Sequence, residues 1–157
     1  MNIFCDLDGV LVDLCKKMNA IYGYDTKNEF VKHFDTHMKT LDKKEKVEFW
    51  QNLEKTEECD TIWNMISKYN PMILTSCSGC TNAIEGKKLW CQKNLGLPHY
   101  RVICVHRSDQ KRLYANKGRV LIDDLECNIN DWKSFGGTAI HHLNITDTIR
   151  QLESILS

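Results

Sequence analysis

Asp6-Leu7-Asp8-Gly9-Val10 directly follows the apolar run Ile3-Phe4-Cys5 near the start of the chain. A short apolar run of this kind is typical of a buried strand. Two carboxylates at i and i+2 leave the strand end on the same side, and the glycine lets the backbone turn sharply and approach an anion. Mg²⁺ is usually held by one or two carboxylates together with substrate phosphate. The stretch therefore predicts a site for a hard cation and a phosphate group, with Gly9 against the phosphate.

Four later apolar runs also predict buried strands. They are Met72-Ile73-Leu74, Val102-Ile103-Cys104-Val105, Val120-Leu121-Ile122 and Thr138-Ala139-Ile140. The segments between them have apolar residues at helical spacing, with Ser108 and Gly96 as predicted helix ends. Alternating strands and helices predict an α/β fold, a Rossmann-like parallel sheet with helices on both faces. Ligands of such sheets bind beyond the carboxyl ends of the strands.

Residues 14–69 interrupt this alternation, because they contain no convincing strand and are rich in Lys, Glu and aromatic residues. Asp42 and Glu45 have the spacing of a capping box, and Asp60 is a second predicted helix cap. We therefore expect a small helical cap over residues 14–69, inserted after the first strand, and an α/β core formed by residues 1–13 and 70–157. Four aromatic side chains of the insertion are candidates for a wall that stacks on a base, although aromatics at helical spacing more often belong to a core. They are Phe30, Phe34, Trp50 and Trp63.

The charge balance excludes functions that depend on a global electric field. The chain has 21 acidic and 21 basic residues, so no net charge favours a nucleic-acid polymer or an anionic membrane. Neither a basic leader nor an apolar segment of membrane-spanning length stands out in the sequence. We expect a cytoplasmic protein with no membrane partner.

The eight cysteines are predicted to be free thiols, because several lie in apolar strand-like runs and no secretory signal precedes them. Cys77-Ser78-Gly79-Cys80 has the spacing of a redox pair or of half a zinc site. A second pair at matching spacing is missing from the sequence, which disfavours a structural zinc site. Oxidation at this position would still affect the residues just before it.

A second pair of acids, Asp123 and Asp124, follows the predicted strand at 120–122. Carboxyl ends of neighbouring parallel strands meet at one edge of a sheet, so we expect this pair beside Asp6. A third metal ligand is thereby available. The alternative is that Asp124 caps the next helix, which is compatible with a metal role for Asp123.

Two further predicted strand ends carry groups suited to phosphate. Thr75 and Ser76 follow the run at 72–74, where their hydroxyls and nearby backbone N–H groups are placed to hold phosphate oxygens. Lys111 follows the run at 102–105 and is a candidate to neutralise phosphate charge. Taken alone, Thr and Ser are common helix caps and an isolated lysine is usually solvated.

The stretch that contains Asp6 and Asp8 has two other interpretations. A calcium loop of the EF-hand kind needs oxygen ligands at later alternating positions and Glu at the twelfth, but Val10, Val12 and Lys17 occupy those places. In the simplest alternative, Asp6 and Asp8 only cap a turn before a helix. The order of strand-end motifs along the chain decides between these alternatives.

Taken in order, the four motifs resemble those of the haloacid dehalogenase superfamily of phosphohydrolases. The matching stretches are Asp6-Leu7-Asp8-Gly9-Val10-Leu11, Ile73-Leu74-Thr75, Lys111 and Leu121-Ile122-Asp123-Asp124. Within that superfamily the chain is most similar to the 5′(3′)-deoxyribonucleotidases. The supporting stretches include Phe49-Trp50-Gln51-Asn52-Leu53, Gly86-Lys87-Lys88-Leu89-Trp90 and Asn94-Leu95-Gly96. The chain departs from these enzymes at Leu14 and Cys15, where they tend to place an aromatic of the base pocket, and at residues 77–80.

The resemblance implies that Asp6 attacks phosphorus to give an aspartyl phosphate, and that Asp8 protonates the leaving group and later deprotonates water. It also implies a Mg²⁺ cofactor. The implied metal ligands are the Asp6 carboxylate, the Asp8 main-chain carbonyl, Asp123 and, through water, Asp124. The phosphate oxygens would be held by Thr75, Ser76 and Lys111.

The substrate that the resemblance implies is a small phosphorylated molecule, with a nucleoside monophosphate as the leading candidate. Alternatives within the same chemistry are a nucleic-acid 3′ end or a phosphosugar, and neutral charge disfavours the polymer. A protein of this fold that binds a phosphate ligand without turnover is a further alternative. A dehalogenase is disfavoured because Asp8 is present. As an assembly we expect a monomer or a homodimer.

Overall fold

The computed structural model of the chain describes residues 1–23, 27–77 and 81–157, without the side chains of 27–32. The strands are β1 (Asn2–Cys5), β2 (Met72–Ser76), β3 (Val102–Val105), β4 (Arg119–Asp123) and β5 (Thr138–His141). They form one parallel sheet in the order β3-β2-β1-β4-β5. Each strand contains one of the five predicted apolar runs, so the predicted parallel α/β fold is confirmed.

The strands are apolar throughout because both faces of the sheet are covered. Ile3 and Cys5 of β1 belong to one hydrophobic cluster, whereas Phe4 between them belongs to another. Successive side chains of a strand point to opposite faces, so each face of β1 has its own apolar layer. Parallel strands buried on both faces are expected to have continuous apolar runs, as these do.

An α-helix or a 3₁₀ helix follows each of the strands β2 to β5, and a short 3₁₀ helix, His99–Arg101, also precedes β3. The α-helices are α5 (Thr81–Leu95), α6 (Glu126–Ser134) and α7 (Ile145–Leu156), and the 3₁₀ helix between β3 and β4 is Ser108–Tyr114. Gly96 ends α5 with a φ of 66°, as predicted. The Ser108 prediction was right about where a helix begins, but the helix is 3₁₀ and Ser108 is its first residue rather than its cap.

In the described part of the chain, four α-helices lie between β1 and β2, namely α1 (Leu14–Tyr22), α2 (Lys27–Thr40), α3 (Lys43–Gln51) and α4 (Cys59–Ile66). A 3₁₀ helix, Ser67–Tyr69, follows α4. The predicted capping box opens α3, where the Glu45 N–H donates to Asp42 Oδ1 and the Asp42 N–H to Glu45 Oε2, each at 2.8 Å. The predicted cap at Asp60 was wrong. Helix α4 starts one residue earlier, and the Asp60 carboxylate accepts a bond from Lys55 Nζ at 2.7 Å.

The inserted helices are tied to the sheet by both backbone and side chains. Thr56 donates from its hydroxyl to the Val10 carbonyl at 2.7 Å, and the indole Nε1 of Trp90 in α5 donates to the Leu53 carbonyl at 2.7 Å. Helix α3 crosses α5 at Gly86, where an added Cβ would lie 2.7 Å from the Val47 carbonyl oxygen. One hydrophobic cluster runs through both parts. The insertion is therefore held closely against the residues that follow β1.

Among the helices in the described part of the chain, none combines the length and the apolar content needed to cross a bilayer. All seven cysteines that the structure describes are free thiols, in agreement with the prediction for them. The predicted pair Cys77 and Cys80 cannot be compared in full, because Cys80 lies outside the described residues. The Phe30 side chain also lies outside them.

Candidate active site

The carboxyl ends of the central strands bring together acids that are far apart in the sequence. Strand β1 lies between β2 and β4, and the Asp6 N–H donates to the Ile122 carbonyl at 2.8 Å. Carboxylate oxygens of Asp6, Asp123 and Asp124 all lie within 4.8 Å of one another. The first two side chains are buried and the third is half-buried. The structure thus places these three predicted residues at one edge of the sheet.

Lys111 joins two of these acids. Its ammonium lies 2.9 Å from Asp6 Oδ2 and 2.7 Å from Asp123 Oδ2, and only 2% of the residue is exposed. Burial by itself would lower the pKa of Lys111, but the two carboxylates outweigh it and hold that pKa above its ordinary value. Lys111 is therefore a fixed positive charge at the acids rather than a solvated side chain.

One ammonium does not fully compensate the buried acids. Burial raises the pKa of Asp6 to about 8, Lys111 opposes that rise, and the neighbouring carboxylates of Asp123 and Asp8 add to it. The Leu7 N–H holds the other Asp6 oxygen, Oδ1, at 2.8 Å. A further positive charge beside Asp6 would favour the ionised carboxylate that a nucleophile requires.

The residues at this edge fit a divalent cation. Asp6, Asp123 and Asp124 offer only hard oxygen ligands, which suit Mg²⁺ and Ca²⁺. Asn128 holds Asp123 in place, because its Nδ2 donates to both carboxylate oxygens at 3.0 Å. Outer contacts of this kind orient a metal ligand. The side chain of Asp8 lies outside this group of three carboxylates.

Gly9 is required by contact as well as by conformation. Its φ is 78°, a left-handed value that side chains rarely adopt, and a Cβ there would collide with the Asp124 carboxylate. A larger residue would push Asp124 away from the other two acids. The helix-cap alternative for Asp124 is not observed, because α6 begins at Glu126 after Leu125, and no side chain caps it.

A second buried lysine organises the other side of the site. Lys87 Nζ lies 2.5 Å from Asp8 Oδ2, and it also donates to Thr75 Oγ1 at 2.9 Å and to the Ser76 carbonyl at 2.7 Å. Only 1% of Lys87 is exposed. The Thr75 hydroxyl and the Ser76 carbonyl therefore meet the predicted acid/base residue through this ammonium. The Asp8 Oδ1 atom is buried and has no hydrogen-bond partner among the described residues.

Lys87 lies in one of the stretches that resemble the deoxyribonucleotidases, but no role is predicted for it from the sequence. The spacing of apolar residues in the helix does indicate that Lys87 is buried. Lys87 lies four residues after Ala83 and three before Trp90 in α5, on the buried face of the helix. A lysine on an apolar helix face needs a buried partner, and Asp8 is that partner.

Of the four aromatic candidates for a base-stacking wall, Trp50 borders the site. The Trp50 ring lies 4.5 Å from Lys87 Nζ and packs edge-on against Phe34 at 5.8 Å between ring centroids. Trp63 is half-buried against the same hydrophobic cluster. The Trp50 indole Nε1 is buried, and the residues that the structure describes offer it no hydrogen-bond partner. Phe34 and Trp50 are thus mainly packing residues, and Trp50 also borders the site.

Comparison with known proteins bears on the fold alone. No protein-family model matches the chain, and no curated protein matches it in sequence. Among solved structures, a hydrolase from Streptococcus pneumoniae TIGR4 superposes with a TM-score of 0.54 and 14% identity, over 98% of this chain and 97% of that one. A likeness at this identity establishes a common architecture along the whole chain. Evidence for the chemistry comes from the side chains at the sheet edge.

Proposed function

We propose that this protein is a Mg²⁺-dependent phosphatase in which Asp6 becomes transiently phosphorylated, with a nucleoside monophosphate as the leading substrate. The observation that carries the proposal is the convergence of three carboxylates within 4.8 Å of one another, flanked by two lysines that are almost fully buried. Anionic acids and fixed ammonium groups at one sheet edge suit a phosphate monoester.

Asp6 is the proposed nucleophile. Lys111 and the Leu7 N–H hold its two oxygens, so the carboxylate is fixed before substrate arrives. Attack on phosphorus forms the bond from an Asp6 oxygen to phosphorus and breaks the bond to the leaving oxygen. Water then hydrolyses the aspartyl phosphate and regenerates Asp6.

Asp8 is the proposed acid and base. Its unpartnered Oδ1 can give a proton to the leaving oxygen and later take one from the attacking water. Lys87 holds Asp8 Oδ2 at 2.5 Å, which fixes the orientation of the carboxylate. Lys87 thus positions the group that moves the proton.

The transferring phosphoryl oxygens would be held by the hydroxyls of Thr75 and Ser76, the backbone at Gly9, and the two lysines. Lys87 already spans Thr75 and Ser76, so a phosphate placed there would meet a preorganised ammonium. Asp6, Asp123, Asp124 and the Asp8 carbonyl would hold Mg²⁺. When bound, the ion supplies positive charge that offsets repulsion between the nucleophile and the phosphate.

The nucleotide part of the proposal has separate support. The resemblance to deoxyribonucleotidases covers the insertion as well as the sheet, and Trp50 brings an aromatic ring from α3 to the site. Inserted helices beside the strand ends are suited to exclude water and to contact the leaving group. Zero net charge favours a small substrate over a polymer.

Phosphate release from a panel of nucleotides, phosphosugars and 3′-phosphorylated oligonucleotides tests the proposal. We expect release from nucleoside monophosphates with Mg²⁺, and none with EDTA or with Asp6→Asn. Asp35→Asn is the matched control, because Asp35 is exposed on α2, and it should keep full activity.

Metal-independent release, or unchanged activity in Asp6→Asn, would contradict the mechanism. Preference for a phosphosugar or an oligonucleotide would keep the mechanism and replace the substrate. Binding of phosphate compounds with no turnover of any of them would favour a binding protein.

A further inference from the structure

Two free thiols lie side by side at the end of β2. Thr75 of β2 is in register with Cys104 of β3, and the Cys77 N–H extends this pairing by donating to the Val105 carbonyl at 2.8 Å. Residues 75 and 77 share a face of the strand, so Cys77 and Cys104 are diagonal neighbours on one face. Both thiols pack in one hydrophobic cluster, and a hydrogen bond from the other thiol shifts the pKa of each.

The surroundings of the two thiols differ. Cys77 is 5% exposed, whereas Cys104 is half-buried and more open to a small reagent. The hydrogen bond from Cys77 lowers the pKa of the Cys104 thiol, burial opposes this, and the charges of Lys87 and Lys88 lower that pKa further. The same hydrogen bond and burial raise the pKa of the Cys77 thiol. Cys104 is thus the better thiolate of the two.

We propose that Cys77 and Cys104 form an oxidation site, at which hydrogen peroxide converts two neighbouring thiols into a disulfide beside Thr75 and Ser76. The site itself stands on the sheet register and on the hydrophobic cluster that the two thiols share. Only its effect on turnover rests on the proposed phosphatase function. Among the other described cysteines, none lies on β2 beside Cys104.

The oxidation takes two steps. The Cys104 thiolate attacks one peroxide oxygen, the O–O bond breaks, and the departing hydroxide takes a proton to become water, which leaves Cys104 as a sulfenic acid. The Cys77 thiol then loses its proton and attacks the Cys104 sulfur, so the S–S bond forms and the S–O bond breaks to release a second water. Both thiols are oxidised, and one hydrogen peroxide is reduced.

The disulfide would alter the end of β2. A disulfide usually needs Cα atoms less than about 7 Å apart, and residue 104 is paired with residue 75 rather than with residue 77. Bond formation therefore draws residue 77 toward β3. The carbonyl of the preceding residue, Ser76, accepts a hydrogen bond from Lys87 Nζ at 2.7 Å. Movement of residue 77 therefore affects the lysine that holds Asp8. Misplacement on the scale of 1 Å lowers catalysis by about 10- to 100-fold.

Peroxide treatment followed by thiol alkylation and peptide mass mapping tests the site. We expect a crosslink between the peptides of Cys77 and Cys104 that dithiothreitol reverses. Cys77→Ser and Cys104→Ser should each lose this crosslink. Cys127→Ser removes an exposed thiol far along the chain and should keep it.

Activity before and after oxidation gives a second readout. The native chain and Cys127→Ser should lose activity on oxidation and regain it with dithiothreitol, while Cys104→Ser should resist. A crosslink from Cys77 to Cys80, or irreversible oxidation of Cys104 without a crosslink, would overturn the proposal. Mass mapping does not depend on turnover, so this test still applies if the phosphatase proposal fails. Absence of the crosslink in an active phosphatase would refute the oxidation site and leave the phosphatase proposal unaffected.

Discussion

Two buried lysines occupy opposite sides of the same sheet edge, and different parts of the fold hold them. Lys111 binds Asp6 and Asp123, two acids that belong to neighbouring strand ends of the sheet. Lys87 binds Asp8 and the end of β2, and it lies on helix α5 beneath Trp50 of the inserted helix α3. The first cluster is built by two strand ends together with the 3₁₀ helix that carries Lys111, and the second also depends on how the insertion packs.

The two lysines therefore have different roles, because Lys111 compensates charge and Lys87 positions neighbouring side chains. Around Lys111, an ammonium only partly opposes the burial that raises the pKa of Asp6 to about 8. Around Lys87, an ammonium holds one carboxylate and a hydroxyl in a defined arrangement. We therefore expect mutations in the first cluster to change stability and metal affinity most, and those in the second to change catalysis.

The largest effect is expected from Lys111→Met. Removing one partner of a buried ion pair leaves Asp6 and Asp123 uncompensated, so the free energy of unfolding in EDTA should fall by about 3 kcal/mol. Mg²⁺ should restore more stability to the variant than to the native chain, because the cation would replace the lost charge. Urea denaturation with EDTA and with Mg²⁺ measures both. Lys117→Met, at an exposed lysine, should change neither.

Lys87→Met should lower the free energy of unfolding by a smaller amount, about 2 kcal/mol, and phosphatase turnover by about 100-fold. The adjacent, half-buried Lys88 makes Lys88→Met the matched control. Mg²⁺ affinity should stay close to native in Lys87→Met, since the three grouped carboxylates are untouched. Equal losses of Mg²⁺ affinity in the Lys87 and Lys111 variants would contradict the division between the clusters.

The pH dependence of stability should reveal the raised pKa of Asp6. Between about pH 4, where an unfolded Asp titrates, and pH 8, the folded state retains a proton that the unfolded state releases. The free energy of unfolding without metal should therefore fall as pH rises through this window, by at most about 1.4 kcal/mol per pH unit from this group. Asp6→Asn should flatten the slope in urea denaturation series from pH 5 to 8.

The smallest effect is expected from Gly86→Ala. In an open helix this change would stabilise by up to about 1 kcal/mol. Here the new Cβ would meet the Trp50 side chain at 2.5 Å and the Val47 carbonyl oxygen at 2.7 Å, so α3 must shift. We expect a net loss of about 1 kcal/mol and weaker binding of substrate. Glu85→Ala, exposed in the same helix, should leave both unchanged. Stabilisation by Gly86→Ala would show that α3 can yield without cost.

Some of these features follow from local sequence. The five apolar runs locate the strands because a strand covered on both faces must be apolar at consecutive positions. The capping box at Asp42 and Glu45 is also predictable from local sequence, because both partners lie within one helical turn. Asp60 failed as a cap because its neighbours allow the helix to begin one residue earlier, and sequence places helix ends poorly.

The grouping of the three acids was also predictable, because parallel strands bring their carboxyl ends to one edge whatever their spacing in the chain. Sequence alone thus determined that Asp6, Asp123 and Asp124 would be neighbours. Tertiary structure decided that Asp8 turns away from that group to Lys87, that Gly9 makes room for Asp124, and that Gly86 lets α3 bring Trp50 to the site. These outcomes depend on the distance between packed elements and on which buried charges find partners, and neither is encoded in the order of residues along one strand or helix.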